Sequence, residues 1–303
     1  MVYDCTIIGA GTAGLSAAVY MGRERAATVM IDPAFAGGQL GDAGLIEFYP
    51  GFPDGIEGSE LSARLLEQAT KNGVELMLSR ALSIEKEGDF FRLRLENGDQ
   101  VTAKTVIAAT GSSPKKLGVP GEEKFLGKGV SYCAVCDGAF FKNKRVFVVG
   151  GGDAAIDEAL FLTQFSKVTV VHRRDALRAC RFLQERAFAN EQLSFLWNSQ
   201  IREIEGNEKV EKVIIERSGK TEEILADGIF VCIGRCPNSY IFGKLPGIVA
   251  DGGCVMGNLQ MKTGVDGLFV AGDLRAESAR QIGAAVGDGV TAAMSVLEYL
   301  NNR

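Results

Sequence analysis

The same local pattern occurs twice in this chain, about half its length apart, and no other feature restricts the fold as strongly. A short apolar strand from Tyr3 to Ile8 runs into Gly9-Ala10-Gly11-Thr12-Ala13-Gly14, then an Ala-rich helical stretch to about Arg25, then a second strand from Ala27 to Ile31 that ends at Asp32. In the same way Arg145 to Val149 runs into Gly150-Gly151-Gly152-Asp153-Ala154-Ala155, a helix predicted over 155–165, and a strand from Val168 to Val171. In such a unit the first glycine permits the tight turn, the second lets a pyrophosphate approach the backbone, and the third lets helix and strand pack closely. The phosphate then sits on the positive end of the helix. A single match would be a weak signal. Two matches, each following an apolar strand and opening a helix, predict an α/β chain with two Rossmann-like dinucleotide-binding domains.

The second strands of the two units end in opposite charge. Asp32 stands about 20 residues past the first glycines, where a carboxylate accepts hydrogen bonds from a free ribose 2'-hydroxyl and repels a 2'-phosphate. The other strand ends at His172-Arg173-Arg174, with Arg178 in the same turn, and guanidinium forks suit phosphate. The first site therefore calls for an unphosphorylated adenosine and the second for NADPH. A hydride donor needs an acceptor, so FAD is expected at the first site, with NAD as the alternative. Ala271-Gly272-Asp273, at a later strand end, would return to the ribityl and pyrophosphate region of that flavin. A solvated charged turn is the other reading of the arginines. The chain as a whole is acidic, however, with 33 Lys and Arg against 38 Asp and Glu, which also argues against nucleic acid or anionic lipid as partner.

Between the repeats, residues 33–58 read as a long ordered loop and 58–72 as a helix. Asn97-Gly98 signals a hairpin between Phe91-Arg92-Leu93-Arg94-Leu95 and the residues from Val101. The apolar Val106-Ile107-Ala108-Ala109 stops at Thr110-Gly111. Short strands are expected between 193 and 233, a buried strand at 267–271, and a final helix over 280–299. These features divide the chain into 1–114, 115–237 and 238–303, the middle part inserted into a split first domain, with connections within 112–117 and 234–240. No apolar run approaches the roughly 18 residues of a membrane span, and Met1-Val2-Tyr3-Asp4 lacks the regions of a signal peptide, so a cytoplasmic location and no membrane partner are expected.

Two of the seven cysteines stand as Cys133-Ala134-Val135-Cys136. Such a pair can form a small-ring disulfide that takes up two electrons and exchanges readily. Half of a zinc site and a pair of packed thiols are the other readings. Cys5, Cys180, Cys232, Cys236 and Cys254 form no second close pair, although Cys232 and Cys236 are four apart, and no metal is expected. Cys5 and Cys232 lie in apolar strands and read as packing residues. Asp137, next to Cys136, would either protonate a departing thiolate or cap the following helix. His172 is the only histidine, which removes Ser/His/Asp and Cys/His catalysis unless it is itself the base, and it reads as a packed residue at a strand end.

Taken together, Gly-x-Gly-x-x-Gly, Gly37-Gly38-Gln39-Leu40, Pro50-Gly51-Phe52-Pro53, Ala109-Thr110-Gly111, Cys133-Ala134-Val135-Cys136-Asp137-Gly138, Gly150-Gly151-Gly152-Asp153-Ala154-Ala155, the His172 to Ala179 turn, and Ala271-Gly272-Asp273 with Arg280-Gln281 resemble the low-molecular-weight bacterial thioredoxin reductases. The resemblance runs from residue 3 to 300. Its most specific element is the cysteine pair inside the NADPH domain, where the large disulfide reductases carry Cys-x4-Cys near the FAD turn. It implies the class II pyridine nucleotide-disulfide oxidoreductase fold and a homodimer that passes electrons from NADPH through FAD to Cys133/Cys136 and on to thioredoxin. It also implies that Cys136 faces the flavin, Cys133 attacks thioredoxin, Asp137 is the acid, and Lys128, Phe140 and Phe141 dock the partner. Two adjacent aromatics would otherwise read as core. The chain departs from the family's pattern at Phe48, at Gly41-Asp42-Ala43-Gly44 and at Cys236. Another thioredoxin-like or glutaredoxin-like carrier, an oxygen-using dithiol oxidase and a non-catalytic redox sensor are the competing readings.

Overall fold

The computed structural model describes residues 1–34 and 36–302. The chain folds into two units, one of residues 1–113 with 236–303 and one of residues 114–235. It crosses between them twice, and the crossings Ser112–Pro114 and Arg235–Pro237 pair as a two-stranded ribbon.

Apolar strands of the first unit are buried on both faces, as parallel strands must be. Val2–Ile8 pairs in parallel with Thr28–Asp32 on one side and with Gln100–Ala108 on the other. Glu75–Leu78 extends the sheet past Thr28–Asp32. Gln100–Ala108 changes partner along its length: its first half runs antiparallel to Phe90–Leu95, and its second half takes Leu268–Val270 in parallel. The hairpin at Asn97-Gly98 is present, with Arg94 opposite Gln100 and Gly98 at a φ of 90° supplying the left-handed turn. On one side, helices Thr12–Arg23 and Ile282–Asn301 bury Leu15, Met21, Ala292 and Val296 with Ile7, Ile107 and Phe269. A second cluster holds Ile31, Phe91, Leu93 and Val106 with Phe242 and Val255. The loop region contains a small antiparallel pair, Leu45–Ile46 with Ile56–Glu57. Strands of two residues carry too little pattern for sequence reading to find.

The second unit has a five-stranded parallel sheet ordered Val130–Ser131, Gly228–Cys232, Arg145–Gly150, Lys167–Val171, Leu193–Leu196. Beside it lies an antiparallel sheet of Ser199–Glu205, Lys212–Arg217 and Lys220–Leu225. The helix Asp153–Leu162 starts and stops earlier than 155–165. It stops because the Thr163 amide is shared between the Ala159 and Leu160 carbonyls, a tightening typical of helix ends. Among the described residues no helix is long and apolar enough to cross a membrane.

The helix pair of the first unit gives a direct test of this packing. At Gly289 a Cβ would strike the Ala13 carbonyl, whereas at Gly287, on the exposed side of the same helix, it would meet nothing within 4 Å. Gly289→Val should destabilise the first unit by about 1–3 kcal/mol or more, and Gly287→Ala should stabilise it by up to about 1 kcal/mol. Urea unfolding midpoints of the two variants check both signs.

Candidate cofactor and redox sites

The candidate residues of the first unit converge because its parallel strands all end on one edge. Gly9 donates its amide to the Ile31 carbonyl at 2.8 Å, Ala109 to Ile8 at 2.8 Å, and Ala271 to Ala108 at 3.0 Å, so the three strand ends are stitched side by side. Gly9 has a φ of 103° and lies so close to Ala109 that any Cβ would collide with its carbonyl. Gly14 packs in the same way on the Gly9 carbonyl. Gly37 donates to the Ala10 carbonyl at 2.7 Å, which brings the Gly37–Leu40 segment over the turn. The Gln39 amide nitrogen reaches Asp273 at 3.1 Å and Ser112 at 3.2 Å, and the Ser112 hydroxyl lies 3.1 Å from Asp273. Asn238 ties the Thr110 segment down: its side-chain amide donates to the Thr110 carbonyl at 2.9 Å, and its own carbonyl accepts the Thr110 hydroxyl at 2.7 Å.

The fit of a dinucleotide is testable on this turn. The helix Thr12–Arg23 has no side-chain cap, and a Cβ built on Gly11 meets nothing within 4 Å. First-turn amides of Thr12, Ala13 and Gly14 have no intrahelical acceptor, and open space stands over them, as a pyrophosphate requires. Asp32 receives one amide on each oxygen, from Ala10 at 2.7 Å and Ala34 at 2.9 Å. A carboxylate has about four acceptor positions, so two stay open for a ribose diol. Gly272 is held by its amide to Asp288 at 3.1 Å, and Asp288 is itself clamped by Arg275 at 2.9 and 3.2 Å in a largely buried pair. Arg280, at a φ of 52°, and Gln281 precede the final helix, which Gln281 caps through its backbone. The Arg280 guanidinium lies 3.8 Å from the Cys254 sulfur.

The second turn repeats the geometry with one change, Ala155 at the third small position, fully buried. Gly152 has open space over an uncapped helix start. Asp153 accepts the Cys180 amide at 2.7 Å, and the Arg178 amide donates to the Gly151 carbonyl at 2.7 Å, so the arginine segment is pinned over the glycines beside Ala154. Arg173, Arg174 and Arg178 are exposed and form no salt bridge among the described residues. His172 lies beneath the turn. Its ring would occupy the place of any Gly151 side chain, it packs edge-on to Trp197, and its Nε2 is buried with no partner. Burial, then the charges of Arg178 and Arg174, depress its basicity against two backbone hydrogen bonds, so it is a packed neutral ring.

Cys133 and Cys136 form a disulfide with Cα atoms 5.4 Å apart. The turn between them is fixed at both ends. Cys133 donates its amide to the Ser131 hydroxyl at 3.0 Å, Ala134 is buried, and the Cys136 amide donates to the Cys133 sulfur at 3.1 Å. Asp137 is half-buried and its side chain makes no cap bond to the short helix that follows, which weighs against the capping role. The aromatic pair divides: Phe141 packs edge-on against the core residue Phe230 at 5.3 Å, while Phe140 is 79% exposed. Lys128 is exposed. Cys5 is fully buried, and burial pushes its thiol up to about 12. Sequence reasoning missed Ser112, Asn238, Asp288 with Arg275, and Glu158, whose carboxylate accepts the Cys232 thiol at 2.9 Å. Ser112, Asn238 and Glu158 act through partners far away in sequence, and only the glycine turns carried a local signal.

The sequence pattern of the pyridine nucleotide-disulphide oxidoreductase family matches residues 3–289. The chain is 47% identical to a thioredoxin reductase of Bacillus subtilis (strain 168), covering 99% of this chain and 95% of that protein. It is 43% identical to a thioredoxin reductase of Listeria monocytogenes, over 99% of this chain and 94% of that one. Its fold is similar to the crystal structure of Lactococcus lactis thioredoxin reductase, with a TM-score of 0.96 and 40% identity over 99% of this chain and 100% of that one. Two glycine turns with open, uncapped helix starts, a clustered arginine segment and a disulfide between Cys133 and Cys136 agree with these likenesses, and the chain belongs to the pyridine nucleotide-disulphide oxidoreductase family as one of its thioredoxin reductases, which use FAD and NADPH.

Proposed function

We propose that this chain reduces thioredoxin at the expense of NADPH, with FAD held at the Gly9–Gly14 turn and NADPH at the Gly150–Asp153 turn. The disulfide carries this reading: a two-residue-spaced pair that is closed, half-exposed, and set in the same unit as exposed Arg173, Arg174 and Arg178. Asp32, Gln39, Asp273, Arg280 and Gln281 would hold the flavin nucleotide, and Arg173, Arg174 and Arg178 the 2'-phosphate. Bound FAD supplies a two-electron relay between the hydride donor and the disulfide.

The chain's own contribution begins with the reduced pair. The Cys136 amide directed at the Cys133 sulfur stabilises negative charge there, which supports Cys133 as the attacking thiolate. Attack on the partner's disulfide forms a mixed disulfide and expels one partner thiolate. The Cys136 thiolate then attacks the Cys133 sulfur, re-forming the Cys133–Cys136 bond and releasing the second partner sulfur, and Asp137 would deliver a proton to a leaving thiolate. Exposed Phe140 offers a thioredoxin-like partner an apolar contact and exposed Lys128 a charged one, and Phe141 anchors its segment on Phe230. A homodimer working in the cytoplasm completes the reading.

Anaerobic titration with NADPH should bleach the flavin of the purified yellow protein, and thioredoxin should restore it. Cys133→Ser should keep the bleaching and lose thioredoxin turnover. A flavin that NADPH leaves oxidised sinks the reading. Replacing Arg173 and Arg174 together by Ala should raise KM for NADPH by about tenfold to a hundredfold, as loss of hydrogen bonds to a charged group implies. KM for NADH should stay unchanged, and steady-state kinetics with both nucleotides separates the two.

A further inference from the structure

The first glycine turn, the returning strand end and the final helix meet around one buried carboxylate. Asp288, in the first half of Ile282–Asn301, accepts the Gly272 amide on Oδ2 at 3.1 Å and receives the Arg275 guanidinium on both oxygens, at 2.9 and 3.2 Å. Gly272 has a φ of 72°, and a Cβ on it would come within 3.0 Å of the Ala13 side chain. The residue after Asp288, Gly289, lies so close to the Ala13 carbonyl that a Cβ there would strike it. Helix, turn and strand end have no slack at this point. Asp273 follows Gly272, and its Oδ2 accepts from both the Gln39 amide and the Ser112 hydroxyl, each at 3.1 Å. That leaves Oδ1 to accept from a ligand hydroxyl. The two parts of this residue are thus held separately: Asp288 fixes its backbone through the preceding amide, and Gln39 with Ser112 fixes its carboxylate.

Resting on the reading that Asp273 holds the flavin nucleotide, we propose that Asp288 is a positioning residue for that nucleotide: clamped by Arg275, its carboxylate holds the Gly272 amide and so sets Asp273 with one oxygen open to a ligand hydroxyl. The chemistry of the pair suits a hold on geometry. A hydrogen bond to an ionised acceptor is shorter and roughly twice as strong as a neutral one, and a guanidinium bound through two nitrogens fixes the orientation of the carboxylate as well as its place. A buried ion pair adds little to stability over apolar side chains of the same volume. Fold stability alone therefore does not call for one beside Gly272.

The test is a double-mutant cycle on FAD affinity, measured by equilibrium dialysis of the holoenzyme against graded FAD concentrations. Asp288→Asn should weaken FAD binding by about tenfold or more, the size expected when a hydrogen bond to a charged group is lost, and Asp273→Ala should weaken it comparably. In the Asp273→Ala background, Asp288→Asn should cost less than about threefold, because its effect passes through a side chain already removed. Urea midpoints, by contrast, should fall alike on Asp288→Asn in both backgrounds. Equal losses of FAD affinity in the two backgrounds overturn the proposal, since a general lesion of the fold would give them, and so does wild-type affinity in Asp288→Asn. Should the unpaired Arg275 charge keep Asp288→Asn from folding, Arg275→Gln with Asp288→Asn leaves no buried charge behind and carries the same expectations. Wild-type FAD affinity in Asp273→Ala alone would instead sink the placement of the flavin nucleotide, and the proposal with it.

Discussion

The arrangement of the first unit depends on one strand that cannot keep a single neighbour. Gln100–Ala108 is long enough to close a meander with its first half and to accept Leu268–Val270 with its second. Because the parallel partner pairs only with residues 106–108, the returning chain is delivered to the edge where Val2–Ile8 and Thr28–Asp32 also end. Asp273 can therefore meet Gln39, a residue from the opposite end of the chain, at hydrogen-bond distance.

A similar logic seats the redox turn on the second unit. Val130–Ser131 adds to the parallel sheet through Ile229 and Phe230, so the chain enters the turn from a hydrogen-bonded edge. Ser131 then bonds the Cys133 amide, and Ala134 is buried beneath the sulfurs. The disulfide stays reachable on a fixed backbone: Cys133 is half-buried and Cys136 exposed, while Ser131 and buried Ala134 hold the turn that carries them. Thiol exchange requires that combination, because the incoming sulfur must approach in line while the leaving sulfur keeps its place.

What could be read from the sequence was local. Gly9 and Gly14 announce a turn because a side chain at either would strike backbone, while Gly11 leaves open space over the helix start, and Asn97-Gly98 announces its hairpin through the left-handed turn that Gly98 supplies. The Cys133–Cys136 pair is closed across a short turn; its spacing allowed a disulfide beside half of a zinc site or two packed thiols, and the structure forms the disulfide. The helix Arg181–Ala189 was missed because its start has no side-chain cap and its amide partner, Asp153, lies on another helix. Asp288 and Arg275 form a pair within one helix and the turn before it, yet nothing in either residue signals that the Gly272 amide is the third member. Phe140 and Phe141 show the limit most plainly: adjacent identical side chains take opposite environments, and only the position of Phe230 decides which one packs.

The cysteines carry the same lesson into chemistry. The reactive species is the thiolate, so a thiol's environment sets its role more than its presence does. Cys5 lies between strands where burial opposes charge, and Cys232 faces a carboxylate that opposes it further. Both are thereby kept protonated. Cys133 has an amide directed at its sulfur instead. One chain thus holds its sulfurs in opposed surroundings, and the difference follows from which backbone and side-chain groups the fold turns toward each of them.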